Sequence, residues 1–285
     1  MFSFPIGVIL ESFKTDRSTA IQKAAALGAQ GIQMYATSGD NSPENLSAAA
    51  RRALLDEVKS HGLVFSALCG DLGHGFGTKE LNGELIEKSK RILDLAKDLE
   101  TDVVTTHIGV VPADKSHERY KVMQEACFAL ASYADEIGAH FAIETGPEPS
   151  AVLKEFLDSL GSTGVAVNLD PANLAMVVND DAAEAVYNLR RYIVHTHAKD
   201  GIQHRYVNPE YVYRVTHPIP EEIRRERARE EVPLGTGSVD FDKYLRALED
   251  IGYRGFLTIE REVGDNPEAD IYTAKHYLET VIARN

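Results

Sequence analysis

Cysteine is scarce in this sequence. There are two, Cys69 and Cys127, far apart and not in a Cys-x-x-Cys pair. A disulfide framework is not expected, and a reduced, cytoplasmic compartment is the expectation. Positive charge is in deficit as well: 30 Lys+Arg stand against 44 Asp+Glu, a formal net charge of −14. Nucleic-acid binders draw most of their affinity from phosphate contacts and show a basic face, so no nucleic-acid partner is expected. The same acidity argues against an anionic membrane surface. No run of about 18 apolar residues occurs, which excludes a spanning helix. The N-terminal stretch lacks a basic region and a long apolar run; it reads as the lead into a first strand, not as a signal peptide. Low-complexity tracts are absent.

What is present is alternation. Short apolar runs at Ile6–Leu10, Gly31–Tyr35, Val64–Cys69, Val103–His107, His140–Thr145, Val165–Asp170, Ile193–Ala198 and Phe256–Glu260 read as strands. Amphipathic segments near 17–28, 44–61, 80–99, 117–137, 150–159, 181–191, 240–251 and 269–283 read as helices. Eight strand–helix repeats imply βαβ units and a parallel sheet. The 285 residues suit one (β/α)8 TIM barrel, which needs roughly 250. Residues 1–285 are therefore expected to form a single barrel domain. Gly28, Gly62, Gly138 and Gly252 each follow a helical run, where a left-handed C-cap is expected. Ser42-Pro43-Glu44 reads as the start of the second helix, and Asp240 as the cap of the seventh.

One segment breaks the rhythm. Residues 201–238, after the seventh strand, form an insertion expected to pass over the barrel mouth; a surface insertion without a role is the alternative. Its charge run, Glu221–Glu231, predicts a short solvated helix.

Side chains alternate between the barrel interior and the helix layer. Thr105 and His107 share one face of the fourth strand, Ala142 and Glu144 of the fifth, and Asn168 and Asp170 of the sixth. His195 and His197 share a face of the seventh, and Thr258 and Glu260 of the eighth. The opposite faces carry Phe141, Ile143, Val165, Val167, Leu169, Leu257 and Ile259, as a helix-covered surface requires. The polar set is thus assigned to the interior, at the C-terminal ends of the strands, where barrel enzymes place their chemistry. Singly, each residue has an ordinary reading: a solvated Glu, a turn-forming Asp before proline, a core His. Together, three buried carboxylates would repel one another and lose their hydration. One divalent cation held by Glu144, Asp170, His197 and Glu260 removes both costs. Three oxygens and a nitrogen favour Mn²⁺ or Mg²⁺, with Co²⁺ next and Zn²⁺ less suited. His195, one layer deeper, is read as core packing, with support of the ligand residues from behind as the alternative.

The motifs Ala142-Ile-Glu-Thr-Gly-Pro-Glu148, Asn168-Leu-Asp-Pro-Ala-Asn173, His195-Thr-His-Ala-Lys-Asp-Gly201, Val232-Pro-Leu-Gly-Thr-Gly-Ser-Val-Asp-Phe241 and Gly255-Phe-Leu-Thr-Ile-Glu-Arg-Glu262 resemble the sugar phosphate isomerase/epimerase family of xylose-isomerase-like barrels. The resemblance spans essentially the whole chain. It implies the same four metal ligands, with Glu144 and Glu260 doubling as the catalytic acid/base pair. It also implies a small-molecule carbohydrate substrate. Relatives are often dimers or tetramers, and homo-oligomerisation is implied on that basis alone. The chain departs from ketose 3-epimerases at Asn173, where some carry His, and at Lys199-Asp200, where some carry Gly-Glu.

The chemistry so implied is removal of a proton beside a carbonyl, through an enediolate that the metal stabilises. Return to the opposite face gives an epimerase; return to the neighbouring carbon gives an isomerase. Expulsion of a β-hydroxyl instead gives a dehydratase of the inosose type. An endonuclease IV-like phosphodiesterase, with His74 and His107 as extra ligands, ranks lower because of the acidity, and a non-catalytic sugar sensor ranks last. His107, Glu148, Lys199, His204 and Arg205 are the candidate substrate contacts. Gly235-Thr-Gly237 reads as a tight turn, an anion site being the alternative.

Overall fold

The computed structural model describes residues 2–213, 215, 220, 221, 223 and 227–285. Among these, ten strands follow in chain order: β1 (Ile6–Ile9), β2 (Gly31–Tyr35), β3 (Val64–Cys69), β4 (Val103–Thr106), β5 (His140–Glu144), β6 (Val165–Leu169), β7 (Ile193–Ala198), β8 (Asp200–Gln203), β9 (Arg229–Val232) and β10 (Leu257–Ile259). Strands β1 to β7 and β10 close into a parallel barrel in the order β1-β10-β7-β6-β5-β4-β3-β2. Helices α1 (Arg17–Leu27), α2 (Ala48–Ser60), α3 (Lys79–Asp98), α4 (Glu118–Ile137), α5 (Ser150–Leu160), α6 (Ala182–Leu189), α7 (Phe241–Asp250) and α8 (Pro267–Arg284) connect them. This is the (β/α)8 architecture expected from the alternation.

Local signals explain most boundaries. Helix α7 buries Phe241, Tyr244, Leu245 and Leu248, one stripe at helical spacing. Its first turn is capped by Asp240, whose side chain accepts the Lys243 amide. Gly28 and Gly138 end α1 and α4 with φ of 78° and 65°, as foreseen. The start of α2 differs from expectation. Ser42 donates its hydroxyl to the Gly39 carbonyl, and the Asn45 amide does the same, which locks residues 39–45 as a turn. The helix begins at Ala48, behind Ser47, whose Oγ accepts the Ala50 amide.

Outward strand residues Phe141, Ile143, Val165, Val167, Leu169, Leu257 and Ile259 join one continuous apolar core beneath the helices. The inward face is polar and hydrogen-bonded across the barrel, as from Gln33 Nε2 to Thr105 Oγ1 at 3.1 Å. Register sets Glu144 beside Asn168, Asn168 beside His195, and Thr258 beside His197. Both cysteines are buried thiols. Among the described residues no helix is long and apolar enough to cross a membrane.

The excursion after β7 is organised by a ribbon. Strands β8 and β9 pair antiparallel, from Asp200 opposite Val232 to Gln203 opposite Arg229. The predicted charge-run helix is therefore corrected at its C-terminal end, where residues 229–231 alternate as a strand; residues 222 and 224–226 lie outside the described set. Asp200 anchors the ribbon by accepting the amides of Gly201, Gly235, Gly237 and Val239 at 2.8–3.1 Å. Two of the three amides of the Gly235–Gly237 turn are thus spent on Asp200.

Close packing of α4 on the sheet depends on Gly164, which precedes β6. A Cβ there would stand 2.1 Å from the Ala131 carbonyl oxygen and 2.6 Å from the Asp135 nitrogen. Both are helix backbone and cannot rotate away. Gly164→Ala should therefore lower stability by about 3 kcal/mol, at the upper end for overpacking, measured as a fall in the urea midpoint with m unchanged.

Candidate active site

At the C-terminal mouth of the barrel lies a cleft of about 1700 Å³. Its floor carries Glu144 from the end of β5, His197 on β7 and Glu260 just past β10, with Asp170, just past β6, fully buried against them. All four are buried, and one ligand atom from each lies within 4.8 Å of the others. His197 Nδ1 is 3.2 Å from Glu260 Oε2, 3.5 Å from Asp170 Oδ2 and 3.8 Å from Glu144 Oε1.

Local structure aims each group. Asp170 caps the helical turn Pro171–Asn173, and its Oδ1 accepts the Asn173 amide at 2.8 Å. Oδ2 is left facing the cluster. Thr145 pins the Asp170 backbone by accepting its amide and donating to its carbonyl. Asn168 and Asn173 each donate a side-chain amide to Glu144, at 3.1 and 3.0 Å, one to each oxygen. His197 Nε2 lies 3.1 Å from Gln33 Oε1, which can accept only a proton carried on that nitrogen. Nδ1 is thereby turned to the carboxylates. Orientation of one imidazole nitrogen by a hydrogen bond at the other is the usual support of a metal-binding histidine.

Two atoms test whether this donor set suits a cation. Asp170 Oδ2 and His197 Nδ1 are buried and make no hydrogen bond. Buried polar atoms are seldom left so, since each forfeits its hydration. They face one another and two further carboxylates, the place where a divalent ion would satisfy them all. The electrostatics agree. Burial opposes charge on His197, yet Glu260 and Glu144 outweigh it and raise its proton affinity well above the ordinary range, so the carboxylates demand positive charge at this position, from a proton or from a cation that displaces it. Burial, together with the neighbouring Glu260 and Asp170, pushes Glu144 up. Burial would do the same to Glu260, but Lys199 and His197 hold it well below the usual carboxylate range. The cluster thus could hold a metal ion.

His195 is more than packing. Its buried ring is kept neutral, foremost by loss of hydration. Nδ1 is 2.9 Å from Asn168 Oδ1 and Nε2 is 2.9 Å from Thr258 Oγ1. A buried imidazole needs such partners, and here it fixes the amide that holds Glu144.

The expected substrate contacts divide. His107 and Lys199 line the cleft. His107 Nε2 is 3.6 Å from Glu144 Oε1, and Nδ1 is 3.2 Å from Asp71 Oδ2. Burial works against its charge, but Glu144 and Asp71 prevail and push it up to about 9. Glu148, His204 and Arg205 are not among the cleft-lining residues. Glu148 instead accepts the Val111 amide at 3.0 Å, and His204, on the exposed side of the ribbon, pairs with Glu230 at 3.1 Å. Arg205 is half-buried just past β8. Sequence reasoning passed over Gln33, Asp71 and Tyr213. Gln33 left a trace, one amide in the apolar run Gly31–Tyr35. Tyr213, whose ring is 5.5 Å from His107, left none, because only folding brings the insertion to β4.

Glu148 generates a stability prediction. It is 4% exposed, with Oε1 unpaired, and burial pushes its carboxyl up to about 8. The folded state therefore keeps a proton that the unfolded chain gives up near 4.5, so stability falls as pH rises from about 4.5 to about 8. Glu148→Gln should change the unfolding free energy little at pH 5 and raise it by roughly 4 kcal/mol at pH 8.5 in metal-free protein. Parallel urea curves at the two pH values measure it.

Comparison with known proteins agrees with the architecture. A Haemophilus influenzae protein, provisionally named L-ribulose-5-phosphate 3-epimerase, is 23% identical over 268 residues, covering 90% of this chain and 87% of that one. The solved xylose isomerase domain protein from Planctomyces limnophilus superposes with a TM-score of 0.79 at 24% identity, covering 99% of both chains. A probable 3-DHS dehydratase of petrobactin synthesis from Bacillus anthracis superposes with a TM-score of 0.73 at 19% identity, covering 97% of this chain and 99% of that one. Residues 21–281 match the family described as xylose isomerase-like TIM barrel, and the chain belongs to that family.

Proposed function

We propose that this protein is a divalent-metal-dependent enzyme that moves a proton beside the carbonyl of a small carbohydrate or keto-sugar, as an epimerase or isomerase. The observation that carries the reading is the buried Glu144–Asp170–His197–Glu260 cluster with its two facing ligand atoms that make no hydrogen bond. Mn²⁺ is the metal best suited to three carboxylates and one imidazole. When bound, it supplies Lewis-acid polarisation of a substrate carbonyl and stabilises negative charge on its oxygen.

The protein's own groups do the rest. Glu144 and Glu260 bring carboxylate oxygens within 4.8 Å of each other at the cleft floor, so a sugar carbon above them has a proton acceptor available from two directions. Their surroundings differ: Glu144 is held by the side-chain amides of Asn168 and Asn173, and Glu260 by the Lys199 ammonium, so the two carboxylates of the pair are oriented independently. His107, which lines the cleft with Nε2 3.6 Å from Glu144 Oε1, is placed to donate to a substrate oxygen as charge develops there. Tyr211, Val212 and Tyr213, from the segment between β8 and β9, line the cleft. The relative named as a keto-sugar-phosphate epimerase supports the same class of chemistry.

A lyase shares the first step. The difference lies in whether a β-hydroxyl leaves, which product analysis reads directly.

Incubation of the Mn²⁺-loaded protein in D₂O with a panel of ketoses, keto-sugars and their phosphates should place deuterium beside a carbonyl, followed by NMR. Glu144→Gln and Glu260→Gln should each slow exchange by about 10³-fold, within the range of general acid–base contributions. Removal of metal by chelation should abolish it. Exchange that survives both substitutions would sink the assignment.

A further inference from the structure

Lys199 is the feature of the site that the proton-transfer scheme leaves unexplained. It directly follows β7, lines the cleft, and is 4% exposed. Its ammonium lies 2.9 Å from Glu260 Oε2 and 3.9 Å from Asp170 Oδ2, both proposed metal ligands. It also lies 2.7 Å from Glu262 Oε2 and 3.8 Å from Glu231 Oε2, neither of which belongs to the four-donor cluster. Glu260 Oε2 is the same oxygen that approaches His197 Nδ1 at 3.2 Å. One carboxylate oxygen is thus addressed from two sides, by the metal cradle and by an ammonium.

A cation in the cradle and an ammonium on the same oxygen repel each other, and low solvent access leaves that repulsion poorly screened. The surroundings provide somewhere for the ammonium to be held. Glu231 is fixed by Arg261 Nη1 at 2.8 Å and the Glu262 amide at 3.0 Å, both on its Oε1, which leaves Oε2 for Lys199. Arg261 is tied in turn to Asp270 of α8 at 2.8 Å. The next residue, Asp200, is fixed by its four amide bonds, so the backbone at Lys199 has little freedom and only the ammonium can shift.

We propose that Lys199 and the divalent cation draw on the same carboxylate, Glu260, and that Glu262 and Glu231 are positioning residues that hold the ammonium away from the cation. The ribbon and the loop after β10 would then set metal affinity without supplying a ligand. The inference rests on the four-donor reading of the site and adds to it a coupling between named residues.

Isothermal titration of the chelator-stripped protein with Mn²⁺ alone tests it. Lys199→Met should tighten binding about tenfold, and Glu262→Gln and Glu231→Gln should each weaken it about tenfold, in the range of outer partners of metal sites. The decisive comparison is Lys199→Met/Glu262→Gln. If Glu262 acts through Lys199, its substitution loses most of its effect once the ammonium is gone, changing affinity by less than about twofold. An equal weakening by Glu262→Gln in both backgrounds overturns the inference and leaves the metal site standing. Absence of Mn²⁺ binding to the parent protein overturns the four-donor reading and the inference with it. Should Lys199→Met not fold, Asp265→Asn is the comparison: Asp265 is exposed on the same loop as Glu262 and outside ion-pair distance of Lys199. It should leave affinity unchanged while Glu262→Gln weakens it; equal effects of the two overturn the coupling.

Discussion

Negative charge held out of water at the barrel mouth is the constraint on which the rest of this structure turns. Glu144, Asp170 and Glu260 converge on His197 in a space where all of them are buried. Such a cluster is tolerable only with positive charge close by and with donors aimed at the remaining lone pairs. The protein answers in layers. Asn168 and Asn173 donate to Glu144, the Asn173 amide takes one oxygen of Asp170, and Lys199 takes Glu260. What these leave over, Asp170 Oδ2 and His197 Nδ1, is the shape of a cation site.

The layers reach further than the ligands. His195 connects Thr258 to Asn168, and Asn168 to Glu144, so a change on β10 is felt at the end of β5 through two buried hydrogen-bonded groups. On the other flank Glu231 and Arg261 connect β9 to α8 and face Lys199. The inserted ribbon is therefore part of the electrostatics of the site. It is joined to the barrel by buried ion pairs, which are costly to break because either partner alone would be an uncompensated charge.

His107 and Asp71 show the same economy of placement on the opposite wall. Asp71 holds Nδ1, Tyr213 lies beside the ring, and Nε2 is directed to Glu144. Three separate loops, after β3, β4 and β8, thus meet at one imidazole. This is how a barrel varies its chemistry: the strand ends stay in place and the loops bring the partners.

Periodicity carried the fold and the convergence of the polar strand ends, and the family resemblance singled out His197 from the His195–His197 pair. Strands of about five residues alternating with helical stripes leave few architectures, and the two-residue period along β5, β6, β7 and β10 assigns Glu144, Asp170, His197 and Glu260 to one face and one end. That inference needs no knowledge of contacts, because register in a closed barrel follows from the apolar outer faces. Other features were not legible. Ser42 and Ser47 carry equal capping chemistry, and only the turn locked onto the Gly39 carbonyl decided which one starts α2. The residues 229–231 read as helix by charge, yet pairing with β8 made them a strand, since tertiary partners outweigh weak local preference. Lys199 appeared in the sequence as one of several polar residues near the site. That its ammonium would sit among four carboxylates, three of them brought from β9 and from beyond β10, depends on segments more than thirty residues apart meeting in space, and no local pattern encodes such a meeting.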